Sequence, residues 1–414
     1  MSEPVGSPGG ERARTANGEA DGAPRTPDMT YSQHENELRA TVRSVLEDKA
    51  AFSDVLARIE TAQTYDTALW HTLAAEVGCA GLLVPEELGG AGASFREAAV
   101  VAEEIGRSVA PVPFLGSAVL ATVTLLAAAR AEADEEAWAS PAGALAADLA
   151  AGTMTAALAI PFASMPGRRP EPTIRVAASV QSEGEVTYQL TGSIAAVADA
   201  LPADQLLVPA DGVPYGIYLV HADAAGVTRT PAVSLDMTRQ LCDLELHDAP
   251  ATRIAAGPHA EQAVLAALRA GAAMLAAEQL GMAERALELT LDYVKQRYQF
   301  ARPVGSFQAI KHRLADLWVA VNQARAASRY AAACLADGDP DTPVAVALAK
   351  AVCSDTALLA AQEMIQLHGG IGFTWEHPAH LFLKRAKSAS IGLGTADRHR
   401  AALAGLVDLP PASG

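Results

Sequence analysis

Aromatic side chains are scarce, with Phe, Tyr and Trp making up 5% of the 414 residues. A core built on large rings is therefore excluded. The Ala- and Leu-rich composition favours helices packed closely through small side chains. Cysteine is rarer still. Cys79, Cys242, Cys334 and Cys353 are widely scattered, with no CxxC or Cys/His spacing, so no metal site is expected and the thiols read as reduced core residues. Positive charge is in deficit: 31 Lys plus Arg against 48 Asp plus Glu give a net charge of −17. That argues against a nucleic-acid binder, which carries a basic face, and against a polybasic membrane anchor. Residues 109–129 carry no charge, but Pro111, Pro113 and Gly116 interrupt them. The remaining apolar run, 118–129, is too short to span a bilayer and reads as a buried helix after a turn. Residues 1–28 lack the apolar stretch of a signal peptide and read as a disordered tail, consistent with a cytoplasmic protein. No nucleophile elbow, P-loop or Rossmann fingerprint is present. His368, His377, His380 and His399 lack metal spacing and are expected in isolated surface or capping roles.

Half of the residues are apolar, enough for two or three domains. Helical periodicity begins at Met29, with Thr30 or Ser32 as the cap, and continues over 52–59, 68–77 and 95–107. Residues 153–255 change character. Short alternating runs over 173–180, 186–191, 205–209, 216–220, 226–229 and 240–246 predict strands. Beyond them, 260–299 reads as one long helix, followed by 306–336, 342–367, 378–390 and 395–406. The expected fold is α+β and multidomain: an N-terminal α-helical domain over 29–152, a middle β domain of sandwich or barrel type over 153–255, a C-terminal helical bundle over 256–407 and a short tail over 408–414.

Two stretches can approach a ligand. In the first, Arg297 and Arg302 flank the turn Pro303-Val304-Gly305 beside Phe300, and Ser306 is placed to cap the next helix. Arginines there can grip a diphosphate, although the residues alone favour a solvated helix end. In the second, two glycine turns, Gly369-Gly370-Ile371-Gly372 and Gly392-Leu393-Gly394-Thr395, permit close backbone approach. Thr395 caps the following helix, whose N-terminus offers free N–H groups. Lys384, Arg385 and Lys387 read as a solvated face, and Glu376 as a helix cap.

The stretch from Arg297 to Gln308, the sequence Gln366…Gly369-Gly370…Gly372, and the segment Glu103-Glu104-Ile105-Gly106 together resemble the acyl-CoA dehydrogenase family of flavoproteins. The resemblance spans roughly residues 29–406. It implies FAD as cofactor, with Arg297 on its pyrophosphate, Phe300 packed against it and Gln308 hydrogen-bonding nearby. These residues would reach the FAD of a neighbouring subunit. Gln366, Gly369 and Gly370 would lie along the adenosine diphosphate, with Thr395 and Asp397 near the flavin edge. It further implies an acyl-CoA substrate, α,β-desaturation and an electron-transfer flavoprotein as acceptor.

Three departures stand out. The family's polar TEPxxGSD-type segment is replaced by Ile160-Pro161-Phe162-Ala163, and the flavin-covering Trp is missing near Gly192-Ser193-Ile194-Ala195. The usual catalytic Glu before the last Gly-Thr is Leu393, whose backbone N–H remains a candidate oxyanion donor. The alternative site on the long helix falls at Gly271 or Ala272, with Glu261 and Glu278 two or more turns away. The expectation is a subunit of a hetero-oligomer whose base comes from a Glu-bearing homologue, as in family members acting on bulky, steroid-derived acyl-CoAs. A non-catalytic scaffold subunit and a homomeric enzyme with a relocated base are the alternatives.

Overall fold

The computed structural model describes residues 28–130, 137–180, 186–212 and 214–409. The expected N-terminal tail and all but two residues of the C-terminal tail lie outside the described residues. Six helices come first: α1 (Gln33–Lys49), α2 (Phe52–Ile59), α3 (Thr67–His71), α4 (Phe95–Ser108), α5 (Thr122–Arg130) and α6 (Pro141–Ala150). Ser32 and Glu35 form a capping box at α1, as Ser94 and Glu97 do at α4. Each box satisfies two otherwise orphaned N–H groups. The charge-free run is helical from Phe114, beginning with wide π-type turns over Phe114–Ala121 that lead into α5. It is buried throughout those turns, which explains its lack of charge.

Seven strands follow: β1 (Ala156–Leu158), β2 (Ile174–Val180), β3 (Val186–Ala198), β4 (Gln205–Ala210), β5 (Gly216–His221), β6 (Val227–Pro231) and β7 (Leu241–Ala256). They form one sheet in the order β1-β4-β5-β7-β3-β2, with β6 pairing β7 and only β1–β4 parallel. β3 and β7 outrun the alternating segments of the sequence. Their register shifts between Leu190 and Gly192 and between Ile194 and Val197, so the side-chain alternation that marks a strand is broken while pairing continues.

The C-terminal helices are α7 (Gly257–Gln296), α8 (Gln308–Asp337), α9 (Thr342–His368), α10 (Ala379–Ile391) and α11 (Ala396–Leu406), with the hairpin β8 (Tyr298–Gln299) and β9 (Arg302–Pro303) between α7 and α8. By length and composition α7 and α9, the latter with the turn that extends it to Phe373, could cross a bilayer. Yet 83% and 67% of their most apolar windows lie buried inside the fold. Their apolarity supplies the bundle core. α7 packs on α4, α5, α8, α9 and α10 and so joins the three layers.

Candidate functional site

The end of α7 and the end of α9 meet on one side of the bundle. Tyr293 stacks on His368 with ring centroids 4.4 Å apart, and His368 packs on His377 at 4.5 Å. This ladder sets the β8–β9 hairpin beside the first glycine turn. Arg297 leaves α7 in extended conformation, is exposed, and its guanidinium has no partner among the described residues. Phe300 sits at the hairpin tip with φ 51° and 87% exposure. Arg302 instead stacks on Phe307, 3.8 Å from the ring centroid. Gln308, Gln366, Gly369 and Gly370 are exposed. A Cβ on Gly369 or Gly370 would meet nothing within 4 Å. This strip of open glycine backbone, exposed amides and an unpaired guanidinium fits a diphosphate.

Two capping expectations are corrected here. Ser306 Oγ donates to the Pro303 carbonyl, and Phe307 stands at the N-cap of α8 with no side-chain cap. The Ala379 N–H of α10 donates to His377 Nδ1, so His377, not Glu376, caps that helix.

The second glycine turn lies at the far end of α10, whose 13 residues separate it from the first by roughly 20 Å at 1.5 Å per residue. Here Leu393 is 1% exposed with φ 54°. Its N–H donates to the Phe162 carbonyl at 2.7 Å. The expectation of a free oxyanion donor is thereby corrected: that N–H is already taken within the chain. The tip of the Phe162 ring abuts the turn, since a Cβ on Gly392 would fall 2.2 Å from its Cζ. The Phe162 N–H in turn donates to the Ala196 carbonyl at 2.9 Å, and the Arg239 guanidinium faces the ring at 5.3 Å. At Gly271 a Cβ would lie 2.5 Å from Leu120 Cδ2 and 3.1 Å from Leu393 Cδ1. Leu393 and Gly271, the two positions expected for a base, therefore meet in one filled apolar contact.

Polar groups hold this turn from beneath. Lys350 Nζ, fully buried, donates to the Gly394 carbonyl at 3.2 Å, the Ala389 carbonyl at 3.0 Å and Ser354 Oγ at 2.9 Å. Burial without a carboxylate partner lowers its pKa to about 7. The His399 ring, 1% exposed, bonds the Leu393 carbonyl through Nε2 at 2.8 Å. That carbonyl can only accept, so Nε2 carries the proton. Burial lowers the pKa of His399 to about 4. His399 and His368 are thus buried core residues, where isolated surface or capping roles were expected. Thr395 caps α11 through the Arg398 N–H, and exposed Asp397 pairs with Arg400 at 3.0 Å.

Glu278 is no substitute base. It is buried between Arg239 Nη2, at 2.6 and 2.7 Å, and Arg385 Nε, at 2.8 Å. Burial acts to raise its pKa, but the two guanidinium charges outweigh it and hold the carboxyl at about 2. Arg385 also donates to the Thr238 carbonyl and hydroxyl. Expected on a solvated face, it is 2% exposed, because it ties α10 to α7 and to the loop before β7. Glu261 is exposed at the start of α7.

Sequence reasoning missed Phe162 and Lys350 as site residues. A signal existed for each: a large ring where a polar segment is expected, and a lone lysine inside the apolar run of α9.

The models for the acyl-CoA dehydrogenase N-terminal and C-terminal domains match residues 32–141 and 261–406. Acyl-CoA dehydrogenase IpdE2 of Mycobacterium tuberculosis is 35% identical over 362 residues, covering 87% of this chain and 93% of that protein. Among solved structures, the Tcur3481-Tcur3483 steroid ACAD aligns with a TM-score of 0.74 at 30% identity, covering 92% of this chain and 99% of that one. The ChsE4-ChsE5 complex from Mycobacterium tuberculosis aligns with a TM-score of 0.77 at 26% identity, covering 93% and 100%. The chain belongs to the acyl-CoA dehydrogenase family, FAD-dependent oxidoreductases acting on CH–CH bonds.

Proposed function

We propose that this chain is one subunit of a heteromeric acyl-CoA dehydrogenase that desaturates a bulky, steroid-type acyl-CoA between Cα and Cβ. The observation that carries this reading is the filled base position: Leu393 is buried, its N–H is bonded to Phe162, and its side chain closes on Gly271. Nothing in that contact can take a proton. A Glu from a homologous partner subunit removes the α proton, its pKa raised by burial beside the substrate. FAD, when bound, supplies the acceptor for the β hydrogen as hydride, and an electron-transfer flavoprotein takes the electrons onward. Two-component assemblies among the structural relatives, one of them named as a steroid enzyme, support this reading.

Within that assembly this chain contributes binding. Arg297 pairs with diphosphate oxygens, Gly369 and Gly370 let the cofactor reach the backbone, and Phe300 packs on it. Gln308 and Gln366 hydrogen-bond along its length. Their exposure in the isolated chain suits a cofactor shared with a neighbour. Thr395 and Asp397 belong to the other turn and would approach the flavin edge only from there.

The test is co-expression with a Glu-bearing homologue. The expected product is a yellow complex whose flavin is bleached by acyl-CoA, whereas the chain alone is not bleached. Bleaching by the chain alone would establish a base of its own. Flavin content near zero with every related partner would leave only a scaffold role.

A further inference from the structure

The last regular bond of α10 runs from the Gly392 N–H to the Ser388 carbonyl at 3.0 Å. One more residue of helix would bring the Leu393 N–H to the Ala389 carbonyl, four residues back. That bond is not made. The Leu393 N–H crosses to the Phe162 carbonyl instead, and Leu393 turns into the left-handed region, where a leucine is strained. The Ala389 carbonyl belongs to a fully buried residue and needs another donor. Lys350 Nζ supplies it from α9 at 3.0 Å. The same ammonium holds the carbonyl of Gly394, the residue after Leu393. Lys350 thus stands in for the Leu393 N–H at the end of α10.

A protonated lysine has three hydrogens, and Lys350 has three acceptors: these two carbonyls and Ser354 Oγ. A neutral amine has two hydrogens and a lone pair. Either one acceptor loses its donor, or Ser354 turns its hydroxyl to the lone pair and gives up Gln279 Oε1, 3.3 Å away. In both cases the carbonyl bonds lose their charge assistance, roughly half of their strength. No carboxylate among the described residues bonds to Lys350, and the groups around it are fixed. On α9 the Cys353 thiol donates to the Ala324 carbonyl of α8, and burial pushes it up to about 12. Asp355 of α9 pairs with Arg400 of α11 at the surface. On α7 burial works to raise Glu278, but Arg239 and Arg385 of α10 hold it at about 2. On α11 burial keeps His399 neutral down to about 4. Near neutral pH, Lys350 is the group beneath the turn whose charge changes.

We propose that Lys350 is the positioning residue of the second glycine turn: its ammonium occupies the Ala389 carbonyl and so commits the Leu393 N–H to Phe162, and loss of its proton to water returns that N–H to Ala389 and frees Phe162. The structure holds the committed state. In the freed state α10 runs on through Leu393, the strain at Leu393 is relieved, and the contact of the Phe162 ring with Gly392 opens. The device lies within this chain and works wherever the catalytic base comes from.

The test follows the purified full-length chain from about pH 6 to 9. In carbon NMR with lysines labelled at Cε, one signal should titrate near neutral pH, well below the exposed lysines, and vanish in Lys350→Met. Hydrogen exchange read by mass spectrometry, corrected for its intrinsic rise with pH, should show protection of residues 160–164 falling about tenfold along the same titration. Protection of β5 should not change. Lys350→Met should give the low protection at every pH. Should that variant fail to fold, the pH series of the parent chain decides alone. Global unfolding cannot imitate the effect. The folded chain holds this proton less tightly than the unfolded chain, whose lysine has a pKa of 10.5, so the contribution of Lys350 to overall stability rises with pH while the turn loosens. The proposal is overturned if Lys350 titrates with the exposed lysines, if protection of residues 160–164 does not follow its titration, or if Lys350→Met keeps the parent's low-pH protection. No readout involves flavin or a partner, so failure here leaves the heteromer reading intact, and failure to find a partner subunit leaves this inference intact.

Discussion

At one end of α10, Gly369 and Gly370 leave their backbone open to solvent, and nothing lies where a side chain would go. At the other end, Gly392 and Gly394 are walled in by Phe162, Met165 and His399. Both turns are glycine-rich and both are held by buried histidines and the same helix. Openness, not glycine content, separates the two turns. A glycine permits close approach, and what approaches is decided elsewhere in the chain. At the first turn it is solvent. At the second it is this chain's own phenyl ring.

The largest expected effect comes from cutting the anchor that fixes α10 between the two turns. Glu278→Gln takes from the buried Arg239 and Arg385 guanidiniums their shared, closest counter-charge. It should cost about 3–5 kcal/mol, the range for breaking a buried ion pair from one side, read as the shift in a chemical denaturation midpoint. Next comes the open strip. Arg297→Ala should leave the stability of the isolated chain unchanged, because the side chain is exposed and unpaired. In the assembled enzyme it should weaken FAD about 10- to 100-fold, the equivalent of a charge-assisted hydrogen bond of about 1.5–3 kcal/mol. Equal FAD retention in the variant complex would remove this strip from the cofactor site.

Acid should act on the closed turn. The pKa of His399 is about 4 when folded against an ordinary 6.5. Between those values the unfolded chain binds the extra proton and the folded chain does not, so stability falls as pH drops from 6.5 towards 4. Over pH 7 to 5 this one group accounts for about 2 kcal/mol. His399→Gln should flatten the pH dependence of the melting temperature in that window. An unchanged slope would place the acid sensitivity in other groups. At constant pH, Gly392→Ala should cost about 1–3 kcal/mol, the usual penalty of overpacking, because its Cβ would fall 2.2 Å from the Phe162 ring.

The order of helices, strands and helices was legible because period and composition change together near residues 153 and 257. The long C-terminal helices lay within three residues of their observed ends. The open strip proposed for the cofactor was legible because its residues fall in two short segments, 297–308 and 366–370. The closed turn was only half legible. Leu393 drew attention to the turn by its apolar side chain, but what surrounds it comes from Phe162, Leu120 and Lys350, far apart in sequence and brought together only by packing. The same holds for Arg385. Basic neighbours in a row read as a solvated face until the fold places Glu278 against one of them.

The smallest effect isolates the comparison itself. Gly370→Ala introduces the same methyl group as Gly392→Ala, at the other end of the same helix. Gly370 is exposed, has no left-handed backbone requirement, and its Cβ would meet no atom within 4 Å. The isolated chain should therefore change by no more than about 0.5 kcal/mol, as for an ordinary surface substitution. In the assembled enzyme the methyl group would stand where the cofactor approaches the backbone, so FAD retention should fall while the melting temperature of the free chain does not. A variant that lost stability alone would show that the first turn is packed in solution. A variant that lost neither would show that no ligand comes within a methyl group's reach of Gly370, and the two turns would then differ in packing but not in role.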